Sequence, residues 1–325
     1  MKLATLKNGT RDGRLAVVST DLTRAVPASD IAGTLLEALE GWSVAEPRLR
    51  ILAAELARGD CRGIVAFDPA QAMSPIPRCY QWLDGSMFAN HGGLMERAFD
   101  NGIKNEYQRY PLVYQGASDD FIGPLDDVRL PSESDNMDFE GEVAVVVDEV
   151  PMGTSLLDAA GHIKLLMLVN DVSLRALANR EMKTGFGWIQ AKPSTAFSPV
   201  AVTPDELGAA WQDGRVQLSL QVQRNGEWFG HPHGGEMTFS FFRLIEHTAY
   251  SRTLRAGTIL GSGTMSNAAR TAGSACIAER RAIETLEQGG AKTPFMRFGE
   301  RVRFEMLDAG GRSIFGAIDQ RYVRS

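Results

Sequence analysis

The chain has 325 residues, 44% hydrophobic and 23% charged, the make-up of a globular protein rather than a disordered or fibrous one. Its net charge is −6 and its lysines and arginines are scattered, so it carries no electrostatic footprint for nucleic acid or an anionic membrane, and a small-molecule partner is expected. No apolar run approaches the roughly 20 residues that span a bilayer, and the N-terminus lacks the pattern of a secretory leader, which points to a cytoplasmic protein.

Two short runs of period-two alternation, MKLATLKNG and DGRLAVVS, flank the turn residues Asn8, Gly9, Asp12 and Gly13 and predict a hairpin. Residues Ala32 to Leu39 and Arg48 to Leu56 repeat apolar side chains at three and four, with Ser29 and Asp30 as a helix start, and read as helices. Pro69, Ser74, Pro75 and Pro77 break the pattern. A small N-terminal domain, 1–75, is therefore expected to precede a second domain, 76–325.

Beyond the break, GEVAVVVDEV, VQLSLQVQRNGEW and RVRFEML read as strands with few helices between them, giving an α+β, β-rich fold with peripheral helices. Cys61, Cys79 and Cys276 fit neither a disulfide framework nor a thiolate metal site and are expected as buried free thiols. Gly257 to Gly263 is glycine-rich but matches neither a phosphate loop nor a dinucleotide fingerprint. His231 and His233 are close together, yet Pro232 between them predicts a turn rather than a metal site.

The chemistry concentrates in carboxylates. Glu140 and Glu142 stand two apart on an expected strand, so both point to one face. Like charges that close persist where a hard cation or a shared proton compensates, although a solvated strand face gives the same pattern. Asp171 ends the apolar run LLMLVND, at the mouth of a buried element or as a helix cap. Asp84 beside Gly85 reads equally as a turn.

The order Asp84, His91, Tyr114-Gln-Gly, Glu140-Gly-Glu142, Asn170-Asp171, Lys192 before Ser198-Pro199, Asn225-Gly226-Glu227 and Gly261-Ser-Gly-Thr264 resembles the fumarylacetoacetate hydrolase family over roughly residues 75 to 325. The resemblance implies that family's mixed β-sandwich roll and a homodimer. It further implies a divalent cation held by Asp84, Glu140, Glu142 and Asp171, with Mg²⁺ favoured and Ca²⁺ or Mn²⁺ as alternatives, since hard oxygen donors select such ions. His91 takes the place of the general base, Glu279 that of the carboxylate that orients it, and Lys192 that of a cation beside the metal and substrate, with Thr195 in support. Glu279, followed by Arg280 and Arg281, reads equally as part of a surface ion pair.

Tyr114, Arg97, Arg175, Gln190 and Thr264 are expected near the substrate. Two departures from the long members, Ser86 after the metal aspartate and the altered segment ALANREMKTGFGW with Trp188, leave the substrate open. The expected reaction is hydrolysis of a carbon–carbon bond in a small dioxo acid, fumarylacetoacetate or an acylpyruvate. Oxaloacetate decarboxylation, hydration of a 2-oxo-pentenoate or tautomerisation are the alternatives within enzymes, and a non-catalytic ligand-binding relative is the alternative outside them.

Overall fold

The computed structural model of the protein describes residues 1–99 and 108–325. The N-terminal hairpin forms as the alternation predicts: Lys2–Leu6 pairs antiparallel with Arg14–Val18, Lys2 opposite Val18 and Leu6 opposite Arg14. The helices are displaced from the expected bounds. The first spans Leu35–Glu40 and is capped by Thr34, whose hydroxyl accepts from the Glu37 amide, rather than by Ser29 or Asp30. The second is much longer, Trp42–Arg58, with Pro47 in its second turn.

Lys2–Leu6 also pairs with Ala201–Val202, so the N-terminal strands extend the same large sheet that carries the central strands Ile163–Asn170 and Gly141–Val147. Gly141–Val147 pairs antiparallel with Ile163–Asn170 on one side and with Ile259–Gly261 on the other. Ile259–Gly261 in turn pairs in parallel with Trp82–Ser86. A second sheet of five strands includes Leu220–Arg224, Arg301–Met306 and Ile318–Arg324.

The run GEVAVVV shows no polar alternation because both its faces are covered. Val143, Val145 and Val147 pack with Leu220, Phe304 and Ile318 of the second sheet. Ala144 and Val146 pack on the opposite face with Leu165, Met167, Trp82 and the helix residues Leu35, Leu39 and Leu49. Gly141 is required where the sheets approach, because a Cβ there would lie 2.7 Å from Leu220 Cδ2, inside van der Waals contact.

Period two then fixes the site. Glu140 and Glu142 share the face of Ala144 and Val146, Asp171 that of Val169 and Met167, and Asp84 that of Trp82. All four carboxylates therefore lie on one side of the sheet, with Glu140, Glu142 and Asp171 at the ends of their strands.

Among the described residues no helix is long and apolar enough to cross a membrane. The thiols are free, but only Cys276 is buried; Cys61 and Cys79 are half-buried.

Candidate metal centre

Asp84, Glu140, Glu142 and Asp171 are all buried, and one oxygen from each lies within 4.8 Å of the others. Asp84 is a strand residue rather than a turn: it stands opposite Gly261 and Tyr114. Gly261 makes room for it, since a Cβ there would fall 2.2 Å from Asp84 Oδ1. The Gly263 amide donates to the same oxygen at 3.1 Å. The glycine run thus cradles a carboxylate, a role that the motif Gly261-Ser-Gly-Thr264 does not reveal in sequence because the contact is made across strands.

Electrostatics divide the four carboxylates. Burial, then repulsion from Asp171, pushes Asp84 well above the ordinary carboxylate range. Burial, then Asp84 and Asp171, does the same to Glu142. Burial also opposes ionisation of Glu140, but Lys192, Arg175 and His91 outweigh it and hold that carboxylate low. Lys192 Nζ donates to Asp171 Oδ2 at 2.6 Å, Ser173 Oγ at 2.8 Å and Glu140 Oε2 at 3.1 Å. Burial pulls its pKa down, yet Asp171 and Glu140 more than reverse this.

Glu142 is the informative member. It is fully buried, and neither carboxylate oxygen accepts from a donor among the described residues, its hydrogen-bonding neighbour being another carboxyl group, Asp84. Buried polar atoms without partners are rare and costly. Four hard oxygen ligands, one of them lacking a donor, fit a divalent cation of the Mg²⁺, Mn²⁺ or Ca²⁺ kind.

His91 lies on the helix Ala89–Phe99, and its Nδ1 is 2.8 Å from Glu279 Oε2. Glu279 is 1% exposed, so it belongs to no surface ion pair; it sits in the first turn of the helix Ile277–Gln288. With Nδ1–H donating to the carboxylate, Nε2 is left as the acceptor. Glu140 forms a bridge with Cys276, which caps the helix of Glu279, so the pair lies near the carboxylate cluster.

Of the expected substrate residues, Tyr114 is at the site, its hydroxyl donating to Asp171 Oδ2 at 2.6 Å. Thr195 donates to Asp171 Oδ1 at 3.1 Å. Thr264 is buried, one residue past Gly263. Arg175 serves the cluster: its Nε donates to Asp138 Oδ2 at 2.8 Å, and its Nη2 lies 2.5 Å from Glu140 Oε1 as an ion pair. Arg97 is exposed and donates to Gly93 of its own helix. Gln190 is exposed with its side chain held by Arg180.

From an otherwise exposed segment, Trp188 reaches residues that contact the cluster. Trp188 packs edge-on to Tyr114 at 4.9 Å, with Lys192 Nζ 5.4 Å from its ring. Glu181 fixes the end of the segment by accepting from the amides of Ile189, Gln190 and Ala191. Three other histidines are engaged elsewhere, His162 with Asp148 at 2.7 Å, His231 with the Trp228 indole and His233 with the Gly235 amide.

This geometry agrees with the chain's similarity to known proteins. Residues 81–321 match the Fumarylacetoacetate (FAA) hydrolase C-terminal family model, and residues 1–78 match Fumarylacetoacetase N-terminal domain 2. The chain belongs to the fumarylacetoacetate hydrolase family.

Its similarity to individual proteins is more distant. It is 32% identical over 157 residues to 2,4-didehydro-3-deoxy-L-rhamnonate hydrolase of Sphingomonas sp. (strain SKA58), covering 47% of this chain and 52% of that protein. It is 27% identical over 172 residues to oxaloacetate tautomerase YisK of Bacillus subtilis (strain 168), covering 53% and 55%. The chain spans about half the length of the curated relatives it matches. Maleylpyruvate hydrolase of Sphingobium sp. SYK-6, solved in complex with manganese (II) ion and pyruvate, shares the fold over 100% of both chains with a TM-score of 0.67 and 15% identity.

Proposed function

We propose that the protein is a metal-dependent hydrolase that cleaves a carbon–carbon bond in a small dioxo acid, fumarylacetoacetate or an acylpyruvate. The observation that carries this reading is the His91–Glu279 pair at 2.8 Å beside four buried carboxylates, because hydrolysis needs an activated water and metal chelation alone does not. Asp84, Glu140, Glu142 and Asp171 would hold the cation, and Mg²⁺ is our choice; manganese in the maleylpyruvate hydrolase structure supports the hard-ion class. When bound, such an ion supplies Lewis-acid polarisation of the oxo acid's carbonyl oxygens.

The protein's own residues carry the protons. Glu279 keeps His91 Nδ1 protonated, so Nε2 takes a proton from water as the water oxygen bonds to the substrate carbonyl carbon. Lys192, anchored by Asp171, Glu140 and Ser173, offers positive charge where the oxyanion develops. As the carbon–carbon bond breaks, its electron pair passes to the leaving enolate. That fragment recovers a proton from the His91 imidazolium. Trp188 over Lys192 limits bulk water around the reacting centre.

A second reading, keto–enol exchange of oxaloacetate, is supported by the tautomerases among the relatives, since Nε2 of His91 can move a proton between carbon and oxygen without a water. The test is the purified protein with Mg²⁺ against fumarylacetoacetate, acylpyruvates and oxaloacetate. We expect release of two carbon fragments, abolished in His91→Ala. Exchange of oxaloacetate tautomers with no cleavage of any dioxo acid would overturn the hydrolase reading. Full cleavage by His91→Ala would overturn the base.

A further inference from the structure

We infer that Asp138, which touches neither the carboxylate cluster nor the base, is a positioning residue that sets the His91–Glu279 pair and the cluster at a fixed spacing. This inference rests on the water-activation reading above. Asp138 is fully buried and is itself completely partnered. Its Oδ1 accepts from the amides of Phe139 at 2.9 Å and Ile277 at 2.8 Å. Its Oδ2 accepts from the Ala278 amide at 2.9 Å and from Arg175 Nε at 2.8 Å.

Two of those donors open the helix Ile277–Gln288, and the next residue along is Glu279. A carboxylate at a helix start satisfies amides that have no partner within the helix and complements the helix dipole. Here it also fixes the height and rotation of the first turn, from which Glu279 reaches His91. The fourth donor, Arg175, is held so that its Nη2 faces Glu140 Oε1.

One side chain therefore ties the turn that carries Glu279 to the guanidinium that faces a metal-site carboxylate. The local backbone reinforces the tie. Asp138 stands opposite Ser173 in a short antiparallel pair, and Ser173 in turn accepts from Lys192.

Asp138→Asn isolates the effect. Its amide oxygen still accepts from Phe139 and Ile277, but its NH₂ is set against the Ala278 N–H and the Arg175 Nε–H, donor against donor. The turn then shifts at Glu279. A displacement of about 1 Å at a catalytic group costs about 100-fold in rate, so kcat should fall about 100-fold while KM for the oxo acid changes far less.

A readout independent of turnover is the downfield ring N–H proton of His91, assigned in the Mg²⁺-loaded wild-type protein by its absence in His91→Gln. It should be lost or strongly weakened in Asp138→Asn that is folded by circular dichroism. If that variant does not fold, Asp138→Ser, whose hydroxyl can still accept one amide at the helix start, takes its place in both measurements.

A lowered melting temperature with the resonance and kcat both intact would overturn the inference, leaving Asp138 a helix cap and no more. If the wild-type protein shows the resonance but turns over no oxo acid, the functional reading fails, and the resonance alone then decides the role of Asp138.

Discussion

Glu142→Gln separates the metal site from an ordinary buried polar group, because the two assign opposite signs to one substitution. Glu142 is fully buried, and both its oxygens lack a donor among the described residues. Its neighbours Asp84, Asp171 and Glu140 all disfavour its charge. Without metal, this desolvated carboxylate destabilises the fold. A buried polar group left unpaired costs about 1–3 kcal/mol in proteins.

Gln is nearly isosteric, is uncharged, and brings an NH₂ that can donate to the adjacent carboxylates. Chelator-treated Glu142→Gln should therefore be more stable than chelator-treated wild type by about 1–3 kcal/mol. At about 2 °C per kcal/mol for a chain of this size, this is a rise of about 2–6 °C in Tm. With excess Mg²⁺ the order reverses, because wild type gains the binding free energy. The variant, short of one ligand, should bind at least about 100-fold more weakly. Calorimetric melting in chelator and in Mg²⁺ reads both effects. A metal-free variant less stable than wild type, or one with an undiminished response to Mg²⁺, would refute the reasoning.

Gly261→Ala should abolish measurable Mg²⁺ binding in isothermal calorimetry, since the new Cβ would fall 2.2 Å from Asp84 Oδ1 and push that carboxylate out of the cluster. The gain in Tm on adding Mg²⁺ should widen as pH rises from about 5 to about 8. Asp84 and Glu142 have folded-state pKa values raised by burial, so neither costs stability below the ordinary carboxylate pKa near 4. Above it the metal-free fold loses stability as the unfolded chain ionises, while the ion needs both groups deprotonated. Glu140 is held low by Lys192 and Arg175 against the effect of burial; its stabilisation is present above the ordinary range and is lost only in strong acid. A response to Mg²⁺ that is flat across this range would contradict the assignment. Trp188→Ala, which uncovers Lys192 and Tyr114, should raise KM for the oxo acid more than it lowers kcat; steady-state kinetics showing the reverse would remove Trp188 from the pocket.

Local features of the fold are legible in the amino-acid order alone. The N-terminal hairpin follows from two short apolar runs and the turn residues between them, and the central strand Gly141–Val147 from a β-branched run bounded by glycine and aspartate. The spacing of Glu140 and Glu142 sets both on one face whatever the surroundings, because strand periodicity is local. The helix starts are less legible: Ser29, Asp30 and Thr34 are all competent caps, and packing of Leu35 and Leu39 into the core selects Thr34.

What no sequence pattern could decide is which groups meet across the fold. Asp171 joins the two glutamates through the pairing of Ile163–Asn170 with Gly141–Val147, and Asp84 joins them because Ile259–Gly261 inserts between Trp82–Ser86 and Gly141–Val147, an order set by long-range pairing. Glu279 followed by two arginines looks like a surface ion pair until helix packing buries it against His91. Asp138 lies two residues before Glu140, yet its four donors come from residues 139, 175, 277 and 278. The sequence by itself determined the donor types and their local facing, which backbone periodicity dictates. Only the tertiary structure decided their partners, because a buried charge is defined by what surrounds it and those groups arrive from distant parts of the chain.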